Sequence, residues 1–201
     1  MTELRYDNRV AVITGGGRGL GRAHALLLAS RGCKVVVNDP GVSMAGDPTD
    51  ETPADALVAQ ISAAGGEAVA CAESVASPFG GKAIIQAALD TWGRIDILIH
   101  SAGNVRKKTI ADLTYDDFEA ILDVHLRGAF HVAKPALESM TAAGYGRMVF
   151  TSSINGLYGK SEAAPYSTAK AGLIGLSHSI GIEGAGFGVT SNVIVLSLIH
   201  I

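Results

Sequence analysis

Arg9-Val10-Ala11-Val12-Ile13-Thr14-Gly15-Gly16-Gly17-Arg18-Gly19-Leu20-Gly21 is the stretch that decides the fold. Residues 9–14 form an apolar, β-branched run that reads as a strand. Residues 19–32 read as a helix closed by Gly32. Glycines at the spacing Gly15-x3-Gly19-x-Gly21 fill the turn between them. Such a turn lets backbone N–H groups approach a pyrophosphate, and the helix N-terminus adds partial positive charge there. Glycines also serve tight turns that bind nothing.

Working outward, strand and helix signals alternate. Residues 34–38 read as the second strand, and a polar Gly- and Pro-containing loop runs from Asp39 to Pro53. That loop is long for a strand-to-helix connection, which hints at a role near a ligand. Helix follows over 53–65, strand over 67–71, helix over 78–92 and strand over 95–100. The last of these is apolar on both faces, as a central parallel strand requires. Thr114 caps a long helix, with Asp117 three residues on. Strand over 146–152, helix over 163–183 and strand over 189–195 complete the pattern. Strand–helix alternation predicts an α/β doubly wound parallel sheet in a single domain, with right-handed crossovers.

Asp39 ends the second strand about twenty residues after the glycine turn, where a carboxylate can accept hydrogen bonds from a ribose diol. It is equally apt to start a turn with Pro40-Gly41, and both roles can coexist. A carboxylate there repels a 2′-phosphate, so NAD is expected rather than NADP. Arg18 is the one nearby cation that opposes this.

The 201 residues are 48% hydrophobic with a net charge of −3 and no basic run. This composition is globular and points to neither nucleic acid nor an anionic membrane surface. Cys33 and Cys71 read as small buried hydrophobes, and a cytoplasmic, reducing setting is expected. No signal peptide or membrane-spanning run is visible.

Tyr166 and Lys170 stand four residues apart on one helix face, and Ser153 follows the fifth strand. A cation beside a phenol favours the phenolate, which lets the tyrosine trade a proton with a substrate oxygen near neutral pH. Ser153 falls at the C-terminal edge of the sheet, where ligands of open α/β sheets bind. Taken singly, a tyrosine with an i+4 lysine reads as a solvated helix face and a serine at a strand end as a turn former.

In combination, Thr14-Gly15-x3-Gly19-x-Gly21, Asp39, Ala102-Gly103, Ser153 and Tyr166-x3-Lys170 resemble the short-chain dehydrogenase/reductase family over nearly the whole chain. The resemblance implies a Rossmann-type fold and a nicotinamide cofactor. It further implies that Ser153 orients a carbonyl, Tyr166 is the acid/base, and Lys170 binds the nicotinamide ribose and tunes Tyr166. The cofactor would meet Thr14, Gly15, Gly17, Arg18, Gly19, Leu20, Gly21, Asp39, Glu73, Ser74, Val75, Ser101, Ala102 and Gly103, together with Tyr166 and Lys170. A homodimer or homotetramer is implied, with helices 116–142 and 163–184 at the dimer interface. Val35-Val36-Val37-Asn38-Asp39, the loop behind it, and Val124-His125-Leu126-Arg127-Gly128 look like the (3R)-hydroxyacyl-CoA dehydrogenase domains of the type 2 peroxisomal multifunctional enzymes. An acyl thioester is the expected substrate. A 3-oxoacyl-carrier-protein reductase or another alcohol dehydrogenase of the family is the alternative.

Several positions depart from the family pattern. His125 stands where an asparagine is usual and so either alters a proton relay or is a packed helix histidine. His100-Ser101 replaces Asn-Asn before Ala102-Gly103, which puts the steadying of the central strands in question. Glu73 replaces the usual aspartate. His24, His131 and His178 have no partners at metal-ligand spacing. Residues 1–195 read as the NAD-binding domain. Leu196-Ser197-Leu198-Ile199-His200-Ile201 resemble nothing in the family and read as an atypical tail. On that reading a last strand and a substrate lid are missing, and a truncated fragment that only binds nucleotide is a further alternative.

Overall fold

Six parallel strands make one sheet: β1 (Val10–Thr14), β2 (Lys34–Asn38), β3 (Ala68–Cys71), β4 (Ile97–His100), β5 (Gly146–Ser153) and β6 (Val189–Leu196), in the order β3-β2-β1-β4-β5-β6. The structure is a computed structural model and describes residues 3–47, 49–50 and 52–197. The chain starts in the middle of the sheet, winds outward to β3, then crosses back to β4. That reversal opens a crevice beyond the C-terminal ends of β1 and β4, the place where open α/β sheets bind ligands.

The central strands are apolar on both faces because helices cover both. Val10, Val12, Leu98, Met148 and Phe150 pack under α3 (Pro78–Trp92), α5 (Gly128–Ala143) and α7 (Ala164–Gly184). Ala11, Ile13, Val35, Val37 and Ile99 pack on the other face under α1 (Gly19–Ser30) and α2 (Pro53–Ala63). β1, β2 and β4 therefore read as near-continuous apolar runs rather than alternating ones.

Local signals explain the helix ends. Ser77 accepts a hydrogen bond from the Gly80 N–H ahead of α3, which Pro78 opens. Thr114 and Asp117 form a reciprocal capping box at the start of α4 (Tyr115–Leu122). The expected single helix after Thr114 is not continuous. A wide π-type turn at Asp123–Arg127 separates α4 from α5, with the Gly128 N–H reaching back to the Asp123 carbonyl. Its one buried residue is His125. Two further elements lack a clear sequence signal: the short helix α6 (Asn155–Tyr158) and a single tight turn at Ala185–Phe187.

β6 lies at one edge of the sheet. Ile194 and Val195 are 40% and 42% exposed there. Of the atypical tail, Leu196 ends β6, and residues 198–201 lie outside the described residues.

Candidate active site

The glycine turn is built by close backbone approach. Gly15 has φ +62°, and a Cβ on it would sit 2.8 Å from the Ala102 Cα and N atoms. A Cβ on Gly21 would sit 2.1 Å from the Gly15 carbonyl oxygen, so α1 starts against the turn itself. No side chain fits at either contact. Gly19 has φ +51° with nothing within 4 Å of its would-be Cβ, so there the backbone faces open space.

A clasp joins the two strands that flank the crevice. The Thr14 Oγ1 lies 2.9 Å from His100 Nδ1 and accepts from the Ala102 N–H at 3.3 Å. The hydroxyl and the imidazole share this bond, and His100 Nε2 is buried without a partner among the described residues. Burial, with Lys170 and His125 nearby, pushes the His100 pKa down to about 3, so the ring is neutral. His100 thus ties β1 to β4, and the steadying of the central strands is retained in another form.

Asp39 is nearly buried and accepts from two backbone groups, Gly17 N–H at 3.2 Å and Gly41 N–H at 3.0 Å. The second of these is the expected turn with Pro40-Gly41, and the first ties it to the glycine turn. The β2–α2 loop then arches over the crevice. Arg18 donates to the Val42 carbonyl at 2.8 Å, and Val105 N–H donates to the Met44 carbonyl at 2.8 Å.

Beneath the arch lies a cavity of about 640 Å³, within the range of small-molecule and cofactor sites. Eleven of the expected cofactor residues line it: Gly15, Arg18, Gly19, Leu20, Gly21, Asp39, Ser74, Val75, Ser101, Ala102 and Gly103. Five do not. Thr14 is spent in the clasp, and Gly17 is turned to Asp39. Glu73 is an exposed residue whose carbonyl accepts from Asn38. Tyr166 and Lys170 lie in the neighbouring cluster described next. The wall also includes residues the sequence did not single out, among them Asn38, Met44, Gly46, Asn104, Arg106 and Val124. The long loop was the signal for Met44 and Gly46. Asn104 directly follows Ala102-Gly103 at a strand's C-terminal edge, where a polar side chain is placed to meet a ligand.

Lys170 is buried, donates to the Thr151 carbonyl at 2.6 Å and lies 5.5 Å from the centroid of the Tyr166 ring. Burial pushes its pKa down to about 8. Ser152 Oγ donates to the Lys170 carbonyl at 2.7 Å, so β5 is fastened to α7 one residue before Ser153. Ser153 is buried at the strand end and accepts from the Asn155 N–H at 3.2 Å. His125 meets Tyr166 edge-on, with ring centroids 5.3 Å apart. Its Nε2 lies 3.1 Å from the Asn104 nitrogen and 2.8 Å from the Asn104 oxygen. Burial, then Lys170, pushes the His125 pKa down to about 3. His24, His131 and His178 sit on α1, α5 and α7, and among the described residues no three metal-ligating side chains cluster.

The site therefore combines a glycine cradle, a carboxylate held at the end of β2, and a half-buried phenol beside a buried cation. The cradle fits a dinucleotide: its turn excludes side chains, its cavity is of cofactor size, and the N-terminus of α1 faces it.

The short chain dehydrogenase family model matches residues 9–200. A peroxisomal multifunctional enzyme type 2 from Drosophila melanogaster is 46% identical over 193 residues, 96% of this chain and 32% of that protein. The chain thus spans about a third of that relative's length. A 3-oxoacyl-[acyl-carrier-protein] reductase from Synechocystis is 39% identical over 92% of this chain and 72% of its own. The crystal structure of a short chain dehydrogenase from Mycobacterium avium superposes with a TM-score of 0.86 at 41% identity, covering 94% of this chain and 70% of that one. No helix among the described residues is long and apolar enough to cross a membrane. Fold, cradle and phenol–cation pair agree with these likenesses, and this chain belongs to the short-chain dehydrogenase family of nicotinamide-dependent oxidoreductases.

Proposed function

We propose that this chain interconverts a secondary alcohol and a ketone with NAD, on a (3R)-3-hydroxyacyl thioester, most readily the CoA ester. The buried Lys170 ammonium beside Tyr166 carries the reading. A cation in that place stabilises the phenolate as the substrate oxygen gains or loses its proton. Ser153 donates its hydroxyl to the reacting carbonyl. His125, neutral at working pH, braces Asn104 and packs on Tyr166 rather than carrying a proton itself. The nicotinamide, when bound, supplies or accepts the hydride.

Asp39 supports NAD over NADP, since a carboxylate in the cavity wall opposes a 2′-phosphate. The thioester substrate is supported by the chain's own resemblance to hydroxyacyl-CoA dehydrogenase domains and by the name of the Synechocystis relative, a 3-oxoacyl-[acyl-carrier-protein] reductase. That name also carries the second reading, a carrier-protein substrate. Initial rates on a (3R)-3-hydroxyacyl-CoA, its (3S) enantiomer and the carrier-protein ester decide among them. A preference for the (3S) ester, or for an unrelated alcohol, overturns the substrate assignment.

We further infer a homodimer or homotetramer, supported by Phe130 on α5 and Ile182 on α7, which are 51% and 78% exposed in the single chain. A monomer by light scattering contradicts it. A cytoplasmic site is supported by two cysteines that form no disulfide, Cys33 and Cys71. The Drosophila relative is named peroxisomal, and cell fractionation distinguishes the two compartments.

A further inference from the structure

Two buried amide oxygens in the cavity wall have no hydrogen-bond partner among the described residues: Asn38 Oδ1 and Asn104 Oδ1. A buried acceptor left unpaired costs free energy unless a ligand or water donates to it. Asn104 is the more informative of the two because its surroundings fix it from three directions. Its Nδ2 donates to the Ala120 carbonyl at 3.1 Å. A carbonyl can only accept, so the amide nitrogen must face Ala120 and the oxygen must face away. The Asn104 backbone is held by His125 Nε2, and the next residue, Val105, is held by the Met44 carbonyl of the arching loop. Asn104 is 5% exposed.

The unpaired acceptor thus belongs to a residue of the cavity wall that Gly15 and Asp39 also line. Its complement is a hydrogen-bond donor. The pyrophosphate of a dinucleotide carries none at neutral pH, whereas the adenine amine, the ribose hydroxyls and the nicotinamide carboxamide do. We propose that Asn104 is a specificity-determining residue whose Oδ1 accepts a hydrogen bond from an amino or hydroxyl group of the bound dinucleotide. The proposal rests on the dinucleotide reading above and adds to it a contact that neither the glycine turn nor Asp39 supplies.

The test is a fluorescence titration of NADH against the wild-type protein, Asn104→Leu and Asn104→Ser, with thermal melting of each unliganded variant. The leucine variant should weaken NADH about tenfold, the effect of leaving one ligand donor unpaired. The serine variant, whose hydroxyl stops one bond short of the amide oxygen, should weaken it similarly and guards against misfolding of the first. Reduced nicotinamide hypoxanthine dinucleotide, which lacks the adenine amine, identifies the donor. If it binds the wild type about tenfold more weakly and loses nothing further on Asn104→Leu, the amine is the donor. If it binds the wild type like NADH while the variants are weakened, a ribose hydroxyl or the nicotinamide carboxamide is the donor. Variants that melt lower yet bind NADH with unchanged affinity show a purely structural asparagine and overturn the proposal. A wild type that binds neither NADH nor NADPH removes the dinucleotide reading and this proposal together.

Discussion

The Lys170 ammonium lies 5.5 Å from the centre of the Tyr166 ring and is held there by a 2.6 Å bond to the Thr151 carbonyl. Holding a cation in a buried place is costly, and burial is the cause of its lowered pKa, about 8 against an ordinary 10.5. Between those values the native state binds fewer protons than the unfolded chain, so stability rises with pH across that window. Below about pH 8 the full penalty is present. Lys170→Met should therefore stabilise the protein at pH 7 by on the order of 1–3 kcal/mol while abolishing turnover. The gain should shrink toward pH 10. Urea unfolding of both proteins at pH 7 and pH 10 reads this directly, and a methionine variant less stable at pH 7 contradicts it.

Two buried imidazoles set the acid limit. His100 and His125 both have pKa values near 3, chiefly from burial. Their folded values lie below the unfolded 6.5, so their neutral forms suit the native state above pH 6.5. That stability is lost as pH falls toward 3. Each imidazole contributes up to about 1.4 kcal/mol per pH unit in that interval. Replacing both by asparagine should flatten the slope of unfolding free energy between pH 6 and pH 4.5, whatever its offset. An unchanged slope would show that these rings do not govern acid sensitivity.

The glycine turn makes a steric prediction. Gly15→Ala places a methyl 2.8 Å from the Ala102 backbone at a φ of +62°. The left-handed conformation alone costs about 1 kcal/mol, and the clash pushes the two walls of the cavity apart. NADH affinity should fall at least about tenfold, more than melting alone explains. Gly19→Ala meets no protein atom within 4 Å, so in the unliganded protein it bears only the backbone strain at φ +51° and should melt closer to wild type than Gly15→Ala. Equal loss of melting temperature in the two unliganded variants would mean that strain, not wall contact, shapes the cradle.

Asp39 holds two loops as well as facing the cavity. Asp39→Asn keeps one accepting oxygen but removes the charge, so the NADH-over-NADPH preference should narrow. The lost hydrogen bond from Gly17 or Gly41 should lower stability by about 1 kcal/mol. Paired titrations with the two dinucleotides and a thermal melt check both parts. An unaltered ratio removes Asp39 from cofactor choice.

Much of this was legible in the chain because its signals are local. Val10–Thr14, the glycine turn and α1 are contiguous, and Thr114 with Asp117 announces a helix start in four residues. The parallel sheet covered on both faces followed from strand–helix alternation, whereas the order of its strands came only with the fold. What was not legible depends on tertiary contact. The π-type turn at Asp123–Arg127 leaves no mark in a helical pattern, yet it buries His125 against Asn104 and Tyr166. The use of His100 as a clasp needs Thr14 brought beside it across 86 residues. Glu73 took a place among the cofactor residues by family pattern alone, while the fold leaves it exposed and gives the cavity wall to Ser74 and Val75.

The central claim is that Tyr166 moves the proton while the cradle holds the dinucleotide, two separable tasks. Tyr166→Phe removes one oxygen and leaves the ring that packs on His125. The most direct measurement pairs NADH titration with the rate of NADH formation from a (3R)-3-hydroxyacyl-CoA, for wild type and Tyr166→Phe. The account predicts near-equal NADH affinity and a turnover lowered at least about a hundredfold, the contribution of a positioned acid/base. A phenylalanine variant that keeps turnover close to wild type contradicts it.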